Sequence, residues 1–294
     1  MRPNVRLPDF MIIGAMRCGS TTLWKLLKQH PAVFFPETKE LHYFDDRRDA
    51  YKKGINWYGS FFSDAKPDEV AGEATPNYLY LDEAREKILR EVYNARIIVI
   101  LRDPVERAWS HYWFRVRQGL DTLSFRKAIE IEDVRIAAVD DWSRFRFAYR
   151  ALGHYATFLR PWVDAVGLAA IQVVFLEDLV RDPGRVMRGV LAHIGLSIED
   201  VGGEIVLPHM NRGLYARSIW LQQFARAWVD FKPGQMGIVE RAVRRLGRKL
   251  SRLNMSTQEK VMPESVRQEL IEYYEDSDIA LEEMLSRTVP WRTA

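Results

Sequence analysis

One cysteine, Cys18, occurs in the 294 residues, so no disulfide can form within the chain. That excludes the small, disulfide-stapled secreted folds and suits a reducing compartment. No uninterrupted apolar run of about 18 residues is present, which excludes an ordinary transmembrane helix. A secretory pattern is missing too: Met1–Pro8 holds no apolar run, and Phe10–Ala15 is too short for a signal core. These absences lead to the expectation of a soluble, cytoplasmic protein. A strong excess of one charge is also lacking. The formal net charge of +3 is too small to mark a nucleic-acid binder.

The near-neutral total hides an uneven spread. Between Asn211 and Asn254 stand ten Lys and Arg against two acids, Asp230 and Glu240. A basic segment on an otherwise mildly acidic chain suits an anionic partner or surface, or forms a solvated helix face.

Apolar runs and helical periods alternate from the first residues onward. Phe10–Gly14, Val33–Phe35, Val70–Ala74, Ala95–Leu101 and Ile171–Leu176 read as strands, with Ala95–Leu101 the richest in β-branched residues. Helical spacing falls at Thr21–Gln29, Asp82–Tyr93, Val105–Arg117, Phe125–Val139, Tyr149–Val166 and Gly184–His193. Buried strands alternating with helices predict an α/β fold of three layers around a central parallel sheet. After Pro208 the character changes to basic helices near Ser218–Val229 and Ile238–Leu253, split by Pro233-Gly234, and then a last helix over Pro263–Leu285. The expected organisation is a core over 1–210 with a helical C-terminal extension over 211–294, packed as a single domain.

Gly14-Ala-Met-Arg-Cys-Gly-Ser-Thr-Thr22 joins the first strand to the first helix. A helix N-terminus presents unpaired N–H groups and a partial positive charge, and glycine lets the backbone approach a phosphate. Arg17 adds a full charge, while Cys18, Gly19, Ser20, Thr21 and Thr22 supply N–H groups and hydroxyls. The nucleotide-triphosphate loop needs Lys directly after its second glycine, where Ser20 stands here. A P-loop kinase or NTPase would thus lack its main β/γ-phosphate ligand. A second candidate anion site begins at Arg102, at the carboxyl end of the strongest strand, followed by Asp103-Pro104 as a helix start and by Ser110 two turns further on. Taken alone, that segment is equally a capped helix with a surface arginine.

Together the two elements, in this order and spacing, resemble the PAPS-dependent sulfotransferases, nearest to the heparan sulfate sulfotransferase branch and its bacterial relatives. Gly14–Thr22 resembles the family's 5′-phosphosulfate loop and Arg102–Tyr112 its 3′-phosphate segment. Further matching stretches are Lys39–Phe44, Gly54–Tyr58, Gly72–Tyr78 and Phe175–Leu179, while Asn211-Arg212-Gly213 resembles the loop that closes over the donor. The resemblance runs from about Pro8 to Leu196, more weakly to Tyr215. It implies a P-loop-like fold, sulfuryl transfer from PAPS to a hydroxyl or, less readily, an amine, release of adenosine 3′,5′-bisphosphate, and no metal. It places donor contacts on Arg17–Thr22, Arg102, Ser110, Arg212 and Gly213. It places the general base at Glu40, with His42 as the rival. Where the family usually has Lys, Arg17 keeps the charge without readily giving up a proton, so its expected role is to stabilise the leaving phosphate.

One departure narrows what carries over. Heparan 3-O-sulfotransferases have a catalytic Lys where this chain has Ala74, so their acceptor is not implied. Sugar hydroxyls, lipid-linked acceptors and small metabolites all remain. The alternatives are a kinase- or NTPase-like nucleotide binder and a non-catalytic anion-binding protein. Residues 238–253 form a basic amphipathic helix suited to an acidic acceptor, an anionic membrane or solvent. Trp220 and Trp228 suit either an acceptor cleft or a core.

Overall fold

The computed structural model describes residues 5–46, 49–138, 145–201, 215–230, 237–258 and 260–293. In chain order the elements are β1 (Phe10–Gly14), α1 (Ser20–Leu27), β2 (Val33–Phe34), α2 (Ile55–Ser60), β3 (Val70–Ala74), α3 (Asp82–Glu91), β4 (Arg96–Leu101), α4 (Pro104–Arg117), α5 (Phe125–Glu130), α6 (Glu132–Ala137), α7 (Tyr155–Val166), β5 (Ile171–Phe175), α8 (Leu176–Arg181), α9 (Pro183–His193), β6 (Tyr215–Ala216), α10 (Ile219–Val229), α11 (Gly237–Leu253), β7 (Met255–Ser256) and α12 (Glu264–Leu285). They fall into two compact units that interleave along the chain: Met1–Asp103 with His154–Met210 and Asp276–Ala294, and Pro104–Gly153 with Asn211–Glu275.

The first unit carries the five strands expected from the sequence, all parallel, in the order β2-β3-β1-β4-β5. Continuous apolar runs form them because helices cover both faces, the arrangement of a three-layer α/β fold. Phe10 to Ile13 and Ile98 to Leu101 are fully buried. Each such side chain contributes roughly 1.5–3 kcal/mol relative to exposure. Leu23, Leu26 and Leu27 of α1 and Val190 and Leu191 of α9 share one core with Phe10, Ile12, Ile98 and Ile100. Helix α9 starts sharply because Pro183 opens it and the Asp182 side chain accepts from the Arg185 N–H. The order of the strands matters for function. From β1 the chain goes to β2 on one side and later to β4 on the other, so the turn after β1 lies at the topological switch, where open α/β sheets bind ligands.

The second unit is helical, with a short antiparallel pair, Tyr215 opposite Ser256 in β6 and β7. Its core joins Val105, Trp109 and Tyr112 of α4 with Phe125, Ile129, Tyr149, Val266, Leu270 and Tyr274. Two helices differ from the sequence expectation here. The helix expected over 125–139 is broken at Ile131 (φ −102°, ψ 14°). Buried Glu132 turns inward, and its carboxylate accepts from the N–H groups of Arg150 and Ala151. The helix expected from Tyr149 begins only at Tyr155. Tyr149 is committed elsewhere, its hydroxyl donating to buried Asp121 at 2.6 Å. Local periodicity registers neither partner, because each comes from a distant part of the chain.

Candidate active site

The turn after β1 is shaped around Gly19. That residue sits at the N-cap of α1 with φ 97°, in the left-handed region, and no side chain caps the helix. A Cβ there would come within 2.8 Å of Leu176, so both the backbone angle and the packing require glycine. Thr22 N–H already donates to Gly19 O (2.8 Å), so the N–H groups that the start of α1 can turn to an anion are those ahead of it, of Ser20 and Thr21. Arg17, at φ 69°, shares the left-handed region. The rest of the turn is tied down: Ala15 N–H donates to Ile100 O (2.7 Å) and Met16 N–H to the Tyr80 hydroxyl (3.2 Å). Cys18 is buried, its sulfur 3.3 Å from the Tyr155 hydroxyl, which itself donates to Arg102 O at 2.8 Å. One tyrosine thus bridges the turn to the residue that follows β4. Ser20 is buried at the start of α1, while Thr21 is exposed and Thr22 half-buried. An uncapped helix start, a left-handed glycine and an adjacent arginine fit the phosphate end of a nucleotide donor.

Lys39 to Asp46 run as irregular backbone in which Glu40 (φ 63°), His42 (φ 53°) and Asp46 (φ 51°) are left-handed. Such angles cost non-glycine residues on the order of 1 kcal/mol or more and persist only where surroundings enforce them. Here the Tyr78 hydroxyl accepts from the N–H groups of Tyr43 (3.1 Å) and Phe44 (3.4 Å), and Tyr43 stacks on Tyr58 at 4.7 Å. The strained segment holds a line of charged groups. Lys39 Nζ donates to Glu40 Oε1 at 2.6 Å, His42 Nε2 lies 3.7 Å from Glu40 Oε2, and His42 Nδ1 lies 2.7 Å from Asp45 Oδ2. Burial pushes the Glu40 carboxyl up, but hydrogen bonding to His42 and the adjacent Lys39 ammonium outweigh it and hold it at about 2. The Glu40 side chain is 39% exposed and that of His42 12%, so the carboxylate is the more reachable of the two.

Glu73, at the end of β3, is buried beside this segment. Its Oε1 accepts from the Thr75 hydroxyl at 2.5 Å, and its Oε2 has no hydrogen-bond partner. Burial pushes its carboxyl up to about 7, against the opposing pull of Thr75 and His42. Ala74, next to it, is buried and uncharged. Arg17–Thr22, Glu40, His42, Glu73 and Arg102 all belong to the first unit. Ser110 lies on α4 of the second unit, while Arg212 and Gly213 lie outside the described residues. Among the described residues no cluster of three or more His, Cys, Asp or Glu is placed to hold a metal ion.

Sequence reasoning missed Asp45, Tyr78 and Tyr155. The spacing of Asp45, three residues after His42, was the one legible signal; the tyrosines act across 35 and 137 residues of chain.

Residues 7–230 match the sulfotransferase domain family. The chain belongs to that family of PAPS-dependent enzymes. It is 31% identical over 192 residues, 65% of its length, to the mouse (Mus musculus) heparan sulfate glucosamine 3-O-sulfotransferase 3B1, of which the match covers 47%. It is 26% identical over 291 residues, 96% of its length, to the mouse bifunctional heparan sulfate N-deacetylase/N-sulfotransferase 4, of which the match covers 30%. The chain therefore spans half or less of the curated relatives it matches. The crystal structure of a sulfotransferase from Alicyclobacillus acidocaldarius superposes with a TM-score of 0.70 at 25% identity, covering 98% of this chain and all of that one.

Proposed function

We propose that the protein moves the sulfuryl group of PAPS to a hydroxyl of a carbohydrate-type acceptor. The turn at the topological switch carries this reading: α1 begins uncapped behind a left-handed Gly19, with Arg17 two residues earlier. The family's donor has a phosphosulfate at one end and a 3′-phosphate at the other. The N–H groups of Gly19 to Thr21, the Thr22 hydroxyl and the Arg17 guanidinium hold the first. Arg102 and Ser110 take the second, and Arg212 and Gly213 close over the nucleotide, as the family resemblance implies. The names of the heparan relatives support a sugar acceptor, while an amine, lipid-linked or small-metabolite acceptor is the weaker form of the same reading.

The acceptor oxygen forms a bond to sulfur as the bond from sulfur to the 5′-phosphate oxygen breaks. The electron pair leaves with that phosphate, where Arg17 and the helix N-terminus stabilise it. Glu40 takes the hydroxyl proton. A carboxylate held near 2 is a weak base, but it is ionised throughout the neutral range. The hydroxyl turns strongly acidic once its oxygen bonds to sulfur, so a weak base placed at hydrogen-bond distance suffices. His42, oriented by Asp45, is the competing base; its smaller exposure favours Glu40.

Thermal-shift titration tests the donor site. Adenosine 3′,5′-bisphosphate is expected to raise Tm, by the linkage of ligand binding to stability. Stabilisation by ATP with magnesium and none by the bisphosphate would replace the reading with a kinase- or NTPase-like one. Stabilisation by the bisphosphate without label transfer from PAPS to any fraction of host glycans and metabolites would leave a binding protein.

A further inference from the structure

Helices α10 and α11 of the second unit form an antiparallel hairpin. Four contacts fix its register: Arg244 Nε donates to Val229 O (2.9 Å), Gln222 Nε2 to Ser251 Oγ (3.0 Å) and Ser218 N–H to Asn254 Oδ1 (2.9 Å), while Gly247 packs on Ala225 and Trp228. The side turned away from this seam is unusual. On α10, Trp220 is 77% exposed, Phe224 51% and Leu221 39%, and the ring of Trp228 lies 4.8 Å from that of Phe224. Residues 220, 224 and 228 are four apart and make one stripe. On α11, Leu246 and Leu253, two turns apart, are 45% and 63% exposed. With the seam at Ala225 and Gly247, right-handed helical spacing brings both stripes to the same side of the hairpin. Arg241, Arg245, Arg248, Lys249 and Arg252 are exposed along the flank of α11.

We propose that this hairpin docks on an anionic lipid bilayer, with the Trp220–Phe224–Leu246–Leu253 edge in the headgroup boundary and the α11 arginines on acidic headgroups. Aromatic and aliphatic side chains on one edge with arginines beside them are the composition of an interfacial helix. Each arginine near an anionic surface strengthens binding about fivefold. An anionic polysaccharide would be met by the arginines and by rings stacked on its sugars, but gives no reason for the exposed aliphatic Leu221, Leu246 and Leu253. A second copy would bring two arginine flanks of like charge together. The proposed contact is peripheral; among the described residues no helix is long and apolar enough to cross a membrane.

Co-sedimentation of the full chain with vesicles tests this, using phosphatidylcholine alone and phosphatidylcholine mixed equally with phosphatidylglycerol. Binding is expected to the mixed vesicles and to fade at high salt. Brominated lipid should quench tryptophan fluorescence, and Trp220→Phe should bind normally while losing part of that quenching. Trp220→Ser with Phe224→Ser should weaken binding at least tenfold, and Arg245→Gln with Arg248→Gln about 25-fold, both with unchanged circular dichroism. Absence of wild-type binding overturns the proposal. So does vesicle binding with unaltered quenching in Trp220→Phe. Retention on dextran sulfate without lipid quenching would reassign the face to a soluble polyanion, and a dimer in sedimentation velocity that Phe224→Ser dissolves, without vesicle binding, would reassign it to self-association.

Discussion

The turn at Gly19 and the basic helix α11 both present positive charge, by opposite means. In the turn it comes from one arginine, Arg17, and from backbone N–H groups aimed by a left-handed glycine, on a loop fastened to Ile100, Tyr80 and Tyr155. On α11 it comes from long side chains that are exposed to solvent. Fixed dipoles in a partly buried site are already oriented when a charge develops, whereas exposed ammonium and guanidinium groups are screened by salt and lose entropy on binding. Near the turn Glu73 and Asp45 are buried, whereas at the hairpin Asp230, beyond the end of α10, is exposed and Glu240 on α11 is half-buried. A single change in the first region should therefore be felt strongly, and a single change in the second weakly unless it touches the seam.

The largest expected effect is on turnover. Glu40→Gln removes the proposed proton acceptor and keeps the shape, so transfer from PAPS should fall by about 10²–10⁴-fold, while bisphosphate affinity stays within a factor of about two. Loss of bisphosphate binding in that variant would make Glu40 part of the donor site and erase its distinction from the turn. A variant as active as wild type would move the base to His42.

Next comes a pH effect on stability. The Glu73 carboxyl rises from 4.5 to about 7 in the folded protein. The folded state therefore keeps a proton that the unfolded chain has released, and stability falls as pH rises through that window, by on the order of 3 kcal/mol. Glu73→Gln should flatten the slope in urea unfolding between pH 5 and about 7.5. Asp278, pushed by burial from 3.8 to about 6, slopes the same way and persists in the variant. An unchanged slope would show that Glu73 is solvated, as Asp230 is.

The smallest effect sharpens the seam. Gly247 lies inside α11, where glycine costs about 1 kcal/mol relative to alanine. A Cβ there would sit 2.7 Å from Ala225 O and 2.9 Å from Val229 N, both backbone atoms that cannot turn aside. Gly247→Val should cost about 2 kcal/mol in urea unfolding. A neutral result would mean that the hairpin is looser than its contacts imply.

Much of the fold was legible because its signals are local. All five strands of the parallel sheet were placed within a residue or two, since strands covered on both faces are mostly apolar, Glu73 in β3 being the buried exception. The glycine turn was legible for a similar reason: strand, Gly, Arg, Gly, hydroxyls and helix follow one another without a gap. Helix boundaries at 131 and 155 were not, because Glu132 and Tyr149 answer to partners supplied by folding. Nor was the outward turn of Trp220. Its sequence suits a core or a cleft equally, and only the packing of α10 on α11 decides which side is left over.

The order of residues alone pointed to a parallel α/β sheet and to a candidate anion-binding turn without the triphosphate lysine. Those follow from periodicity, glycine and charge, which neighbours in the chain express. The family came from the resemblance of whole segments to known sulfotransferases. The tertiary structure decided the chemistry's fine settings. It gathers Lys39, Glu40, His42 and Asp45 on left-handed backbone that Tyr78 holds from 35 residues away. There Glu40 is lowered to about 2, while buried Glu73 is raised to about 7. Two glutamates identical in the sequence differ so far because a carboxyl's proton affinity depends on its solvent, its charges and its hydrogen bonds, and only folding supplies them.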